Sequence, residues 1–125
     1  MNYKTFLSEN GKYVICEVTG LITQENSHEF TEASNRLLYA ANVKRLLTDV
    51  RNATNELSVS QNYKYAYKDM EDLNLRRDIR SAILTSKGDR SHDFVETVAQ
   101  NAGYNVRIFS DEEAAIAWLS EDMLD

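Results

Sequence analysis

Serine, aspartate and arginine side chains concentrate in the stretch RLLTDVRNATNELSVSQNY, which runs from Arg45 to Tyr63. Asp49 and Arg51 could orient a substrate, and Ser58 and Ser60 carry hydroxyls that a kinase could phosphorylate. Hydrolysis by carboxylates requires a pair placed across the scissile bond, and a serine triad requires a nucleophile, a base and an orienting group. The stretch holds neither set. We therefore predict no catalytic residue and no hydrolase, kinase or metal-dependent activity.

The histidines and the cysteine form no recognisable catalytic or metal-binding pattern. His28 and His92 lie near the starts of different predicted helices, and neither has a nucleophile beside it in the sequence. We expect both to be ordinary exposed or half-buried side chains. Cys16 is the one cysteine, so it cannot form an internal disulfide, and it has no neighbouring zinc ligand. We predict a core position for Cys16, no metal site and no cofactor.

The segment TSKGDRS, Thr85 to Ser91, is the best candidate for an anion site. Lys87 and Arg90 supply positive charge, Gly88 permits close backbone approach, and the helix that follows directs free N–H groups toward the same space. The spacing is not that of a Walker motif. The alternative interpretation is a solvated turn whose charges keep the surface soluble.

Charge is distributed unevenly along the chain. The net charge is −6, which argues against binding to nucleic acid, because such binding depends on cations that neutralise phosphates. Between residues 74 and 90, however, five cations outnumber Asp78 and Asp89: Arg76, Arg77, Arg80, Lys87 and Arg90. The sequence therefore predicts a local basic patch on an acidic protein.

Three tyrosines at alternate positions form a second unusual cluster. On a helix, Tyr63 and Tyr67 share a face with Met70, whereas Tyr65 points away. One interpretation is that Tyr63 and Tyr67 pack over the sheet. The other is that this helix covers an apolar pocket or contacts a partner, since tyrosine and methionine combine large contact area with adaptability.

Turn chemistry and apolar spacing predict the elements that hold these residues. Asn10-Gly11 lies between two strand-like runs and favours the type I′ turn of a β-hairpin, in which Val14, Cys16 and Val18 form an apolar face. Further strands are expected in VKRLLTDV, IRSAILTS and NVRIF, and helices near residues 24–41, 58–73, 91–102 and 111–120. The expected helix ends are Thr23 or Asn26, the capping boxes Ser58/Gln61 and Ser110/Glu113, Ser91, and Gly103 as a left-handed terminator.

The element order β-β-α-β-α-β-α-β-α predicts an α/β fold. We expect a mixed four- or five-stranded sheet opened by an antiparallel hairpin, with about four helices, because right-handed crossovers join parallel strands. Ligands of such sheets tend to lie beyond the carboxyl ends of the strands. Three segments are expected to converge there: Thr48 to Ser58, Thr85 to Ser91, and Phe109 to Asp111.

Length and composition fit one domain over residues 1–125, with 42% hydrophobic and 27% charged residues. No apolar run approaches the roughly 18 residues that a membrane span requires, and MNYKTFLSENGKY lacks the pattern of a signal peptide. We therefore expect a cytoplasmic protein without a membrane span.

Two stretches, KRLLTDVRNAT and DFVETVAQNAGYNVRIFSDEEAAIAWL, together with the initial hairpin, resemble the SpoIIAA-like family of the STAS domain superfamily. The resemblance covers essentially the whole chain. It implies a central sheet of four or five strands with helices beside it. It also implies a non-enzymatic module that binds proteins, nucleotides or apolar ligands.

The resemblance brings a phosphorylation hypothesis with it. Anti-sigma-factor antagonists of this superfamily carry an Asp-Ser-Ser-Gly-like element after the corresponding strand, where phosphorylation of a serine breaks partner binding. This chain has Asn52-Ala53-Thr54 and then Ser58 and Ser60, without the Asp-Ser pair. A phosphorylation-regulated antagonist of an anti-sigma factor is therefore one alternative, and plain capping or solvent-exposed serines are the other.

Two classes of binding function follow. As a signalling module, the chain would recognise a protein partner or an anionic ligand through a surface formed by Arg51, Asn52, Thr54, Ser58, Lys87, Gly88 and Arg90. As a carrier, it would enclose a small apolar, lipid-like ligand or an anionic one between the sheet, the helix that bears Tyr63 and Tyr67, and the loop from Lys87 to Ser91. A homodimer is compatible with both classes, because an open sheet leaves edges available.

Overall fold

The computed structural model describes residues 2–72 and 76–121 and contains a five-stranded sheet with helices on both faces. The strands are β1 (Tyr3–Leu7), β2 (Val14–Ile22), β3 (Arg45–Asn55), β4 (Arg80–Leu84) and β5 (Asn105–Phe109). They lie in the sheet in chain order. β1 is antiparallel to β2, and each later pair of neighbours is parallel. The predicted mixed α/β sheet opened by a hairpin is confirmed.

The helices agree with the predicted ranges to within two residues where the structure describes them. They are α1 (Gln24–Ala41), α2 (Val59–Lys64), α3 (Met70–Asp72), α4 (Asp93–Asn101) and α5 (Glu112–Ser120). A π-helical turn, Tyr65–Asp69, joins α2 to α3. Together α2, this turn and α3 form the helical segment predicted at 58–73, and residue 73 itself lies outside the described residues.

The topology places three helical segments on one face of the sheet and one helix on the other. Strands β2 to β5 are added in one direction, so right-handed crossovers bring α1, the α2–α3 segment and α4 to the same face. Within the described ranges, only α5, which follows the last strand, packs on the opposite face. There it joins a cluster of buried residues: Tyr13, Leu47, Ala82, Leu84, Ala115, Trp118 and Leu119.

Helix ends follow the predicted chemistry at three of five positions. Thr23 caps α1, Ser58 and Gln61 form a capping box at α2, and Gly103 has a positive φ of 95° after α4. The predicted Ser110 box is wrong: Asp111 caps α5, and its carboxylate accepts from the Ala114 N–H at 3.3 Å. Ser91 does not cap α4 either, because its hydroxyl accepts from the Asn55 N–H of the neighbouring strand at 3.2 Å.

Two predicted connections differ from the observed backbone. The hairpin turn spans residues 8–13 rather than two residues, and Gly11 has a positive φ whereas Asn10 does not, so it is not a type I′ turn. The predicted loop from Thr48 is largely strand, since β3 continues to Asn55. An extended β2 pairs with it there, after a register shift between Glu17 and Thr19.

Candidate functional site

A cavity of about 130 Å³ lies between the sheet and the three helical segments on its crossover face. Its lining is predominantly apolar. The floor comes from three strands: Leu46, Thr48, Val50, Ser81, Ile83 and Val106. The walls come from α1 and α4, and Tyr65 and Met70 of the π-helical turn and α3 form the cover.

Small polar side chains leave this space open. The buried face of α1 carries Ser27, Thr31, Ser34 and Asn35 as well as Phe30 and Leu38, where a filled interface would have larger apolar residues. Thr48 and Ser81 do the same on the floor. The cavity lies beside the apolar clusters on this face, and Ile83 packs against two of them.

Of the three clustered tyrosines, Tyr65 is the one that faces the cavity. Its hydroxyl forms a hydrogen bond with the hydroxyl of Thr31 on α1, and this bond links the π-helical turn to α1 across the cavity. Tyr63 and Tyr67 stack on each other with ring centroids 6.0 Å apart, and their side chains are 48% and 47% exposed. The expectation that Tyr63 and Tyr67 pack over the sheet is therefore wrong, as is the expectation that Tyr65 points away.

At one end of the cavity, two buried polar atoms have no hydrogen-bond partner among the described residues. They are the Tyr104 hydroxyl and the Arg76 Nε. Tyr104 precedes β5 and is 6% exposed, and burial raises the pKa of its hydroxyl. Buried donors and acceptors are rarely left unmatched, so these two atoms indicate a missing partner at this end of the cavity.

His92 lies at the opposite end, beside the carboxyl end of β3, and the expectation that it is exposed or half-buried is wrong. It is 3% exposed, and its Nε2 is 3.4 Å from an Asp89 carboxylate oxygen but makes no hydrogen bond in the described structure. Burial lowers the pKa of His92, although Asp89 and the Ala53 carbonyl oppose that shift. We interpret the 3.4 Å contact as one to a neutral imidazole rather than an ion pair, because burial outweighs the neighbouring charge.

The predicted recognition surface divides between the two faces. Arg51 donates to Asp49 at 2.8 and 3.0 Å and contacts Glu112 at the start of α5 at 3.5 Å. Burial raises the pKa of Asp49, but the hydrogen bonds from Arg51 outweigh it and hold that pKa low. Arg90 pairs instead with Asp93 of α4, on the other face. Both cations are thus already neutralised by carboxylates.

The remaining residues of that surface are exposed. Asn52 and Thr54 belong to β3, and Lys87 and Gly88 lie in the turn after β4, where Gly88 has a φ of 88°. The Ser58 hydroxyl accepts from the Gln61 N–H at 3.2 Å and lies 3.3 Å from the hydroxyl of exposed Ser60. Phosphorylation at Ser58 or Ser60 stays a prediction.

The cavity residues were not among the site residues expected from the sequence. The signals that could have found them are the polar stripe on α1 and the serine and threonine that interrupt the apolar strands, Ser81 and Thr48. Within residues 2–72 and 76–121 no group of three or more His, Cys, Asp or Glu could hold a metal ion. None of the helices in those ranges is both long and apolar enough to cross a membrane.

Solved structures show what this arrangement is similar to. An uncharacterised protein of the DUF3478 family with a SpoIIAA-like fold, from Shewanella loihica PV-4, is 20% identical with a TM-score of 0.56 over 94% of this chain and 91% of that chain. The anti-sigma factor antagonist SpoIIAA in its unphosphorylated form is 15% identical with a TM-score of 0.51 over 90% and 91%. No family model and no curated protein sequence matches the chain. The chain therefore has the SpoIIAA-like fold that the sequence predicted.

Proposed function

We propose that this chain is a cytoplasmic, non-enzymatic binding module that holds a small, largely apolar ligand in the cavity on its crossover face. The observation that carries the proposal is the cavity itself, with apolar walls and a few buried polar groups at its ends. Ligand sites in proteins commonly combine these two features, because apolar walls supply affinity and a few polar groups fix orientation.

The volume limits the ligand. At about 130 Å³, the cavity is close to the roughly 150 Å³ of an engineered apolar cavity that binds benzene. A single aromatic ring with a short substituent is therefore the expected size, and a long acyl chain would require the helices to separate. If the chain is a carrier, its expected ligand is therefore a compact molecule rather than a lipid-like one.

Movement of the α2–α3 segment offers a route into the cavity. A π-helical turn departs from regular helical hydrogen bonding and is often found at functional sites. Here it carries Tyr65, whose hydroxyl bonds to Thr31 across the space. Separation of this pair would open the cavity between α1 and the turn, so ligand exchange is expected to depend on it.

Recognition of a protein partner is the second candidate. It is favoured by the exposed apolar surface on the same helical segment, formed by Val59, Tyr63 and Tyr67. The similarity in fold to an anti-sigma factor antagonist points the same way. An anionic ligand at the strand ends is supported less well, because Arg51 and Arg90 already pair with carboxylates.

The test is binding of benzamide, followed by isothermal titration calorimetry, to the wild type and to an Ala99→Leu variant. Ala99 lines the cavity from α4, so the added leucine carbons should occupy it and abolish binding. Ala117→Leu makes the same change at an exposed position of α5 and should leave binding unchanged. Equal benzamide affinity in all three proteins, or failure of the wild type to bind either benzamide or benzoate, would contradict the proposal. Native mass spectrometry of the purified protein would report any retained molecule.

A further inference from the structure

Arg76 brings a permanent positive charge to one end of the cavity. Its guanidinium lies 4.2 Å from the ring centre of Tyr39 and donates through Nη2 to the Val43 carbonyl at 3.2 Å. The Nε, however, is buried and makes no hydrogen bond within the described residues. The Asp78 carboxylate is 3.9 Å from it, which is within ion-pair distance but too long for a hydrogen bond, and Asp78 pairs more closely with Lys44 at 3.0 Å.

Tyr104 supplies a second donor at the same end. Val43 lies two residues before β3, and Tyr104 immediately precedes β5. The strands β3, β4 and β5 begin at the same edge of the sheet, because Arg45 pairs with Arg80 and Arg80 pairs with Asn105. Arg76 and Tyr104 therefore both lie at the edge where β3 and β5 begin, and both line the cavity. The Tyr104 hydroxyl has no partner in the described structure.

The chemistry of the two atoms defines what is missing. Arginine can only donate and stays charged at any pH the protein would meet, so its Nε–H requires an acceptor. The Tyr104 hydroxyl can donate to that same acceptor. Arg77, whose guanidinium lies 4.5 Å from the Tyr104 ring centre, adds positive charge near this hydroxyl, and the Glu71 carboxylate adds an opposing negative charge. An anionic acceptor would accept both hydrogen bonds and would also be attracted by the positive charge of Arg76. A neutral amide oxygen would only accept the hydrogen bonds.

We propose that the ligand is a small carboxylic acid, bound as its carboxylate by the Arg76 Nε–H and the Tyr104 hydroxyl, with its apolar body over Leu46, Ile83 and Val106. This inference rests on the proposed function and specifies the ligand class. It also assigns a role to Arg76 within the basic patch that the sequence indicates. The acid is recognised at the edge where the parallel strands begin, opposite to the loops expected from the sequence.

The experiment compares benzoate with benzamide, which has the same shape without the charge, by calorimetric titration at fixed ionic strength. Wild-type protein should bind benzoate at least about tenfold more tightly, because hydrogen bonds to a charged group are the stronger ones. Arg76→Gln and Tyr104→Phe should each remove most of that preference, and Arg76→Lys should retain part of it. Thermal melting of each variant confirms that it is folded.

Matched variants on the opposite face serve as controls. Arg107→Gln removes an exposed cation that lies near Trp118, and Tyr13→Phe removes a hydroxyl from the cluster beneath α5. Both should leave the benzoate preference within about twofold of the wild type. Equal wild-type affinity for benzoate and benzamide, or an equal loss in Arg107→Gln and Arg76→Gln, would overturn the inference and leave the proposed function standing. Binding of neither compound would overturn both.

Discussion

The two faces of the sheet are built from the same strands but are filled differently. On the α5 face, Leu47, Ala82 and Leu84 pack against Ala115, Trp118 and Leu119 in one continuous cluster. On the crossover face, the neighbouring residues Thr48, Ser81 and Ile83 line a cavity. Because side chains alternate along a strand, one stretch of sequence can specify a packed core on one side and a binding space on the other.

The difference between the two faces indicates that one mainly stabilises the fold and the other mainly binds a ligand. Filled, apolar contacts supply most of the stabilisation in a small domain. Buried polar groups and an empty volume lower stability and are usually kept where a ligand will complete them. The α5 face is therefore expected to hold the fold together, and the crossover face to carry the binding activity.

Neighbouring leucines of β3 provide the largest test of this comparison. Leu47→Ala on the α5 face should lower the free energy of unfolding by about 3 kcal/mol, because it leaves a new cavity in a packed cluster. Leu46→Ala removes the same atoms from a half-buried side chain that already borders a space, and should lower it by about half as much. Urea denaturation measures both. An equal or larger loss at Leu46 would contradict the division.

Matched alanine-to-leucine changes test the comparison in the opposite direction. Ala99→Leu fills existing space on the crossover face and should raise the free energy of unfolding by about 1 kcal/mol. Ala115→Leu adds the same carbons to a fully buried position on the inner face of α5. This change should lower the free energy of unfolding by about 2 kcal/mol through overpacking. Thermal and urea unfolding would report the signs. Destabilisation of both variants by the same amount would show that the crossover face has no usable space.

The smallest expected effect is the pH dependence contributed by His92. Burial lowers its pKa from the ordinary 6.5, so the unfolded chain binds a proton more readily than the native state does. His92 therefore contributes stability that is present above pH 6.5 and is lost as the pH falls below it. Between pH 7.5 and 5.5, the free energy of unfolding should fall more in the wild type than in His92→Gln. The difference should be smaller than the changes predicted above for the leucine and alanine variants.

His28→Gln, which alters an exposed histidine of α1, is the control for that series. Its stability should depend on pH as the wild type does. The pKa of Asp89 lies below its ordinary 3.8, chiefly because the Ser91 N–H donates to this carboxylate and partly because of His92, so Asp89 stays charged between pH 5.5 and 7.5. An unchanged slope in His92→Gln would mean that this buried histidine does not sense pH.

Local patterns were sufficient to predict the fold. Thr23 and Ser58 mark helix starts through hydrogen bonds within a few residues, and the alternation of Val14, Cys16 and Val18 is fixed by strand geometry. The length of β3 was missed because Arg51-Asn52 resembles a loop. The strand continues there because β2 extends beside it and because Asp49 neutralises Arg51, and neither effect is visible in a short window of sequence.

The cavity depends on contacts between distant segments and could not be predicted in the same way. Helical spacing placed Tyr63 and Tyr67 on one face, but a π-helical turn and the bond to Thr31 decide that Tyr65 faces inward. Arg76 and Tyr104 are separated by 28 positions in the numbering, and both line the cavity at the edge where the parallel strands begin. The spacing of residues in the sequence does not indicate that these two line the same cavity.

The central claim is that the crossover face contains a usable apolar cavity, and diffraction from a crystal pressurised with xenon tests it most directly. Xenon occupies apolar cavities of this size without requiring any specific hydrogen bond. We expect xenon density between the strands and helices, close to Leu46, Val50 and Ile83, and no comparable peak beneath α5. Side chains or ordered water filling that space, with no xenon bound, would contradict the claim.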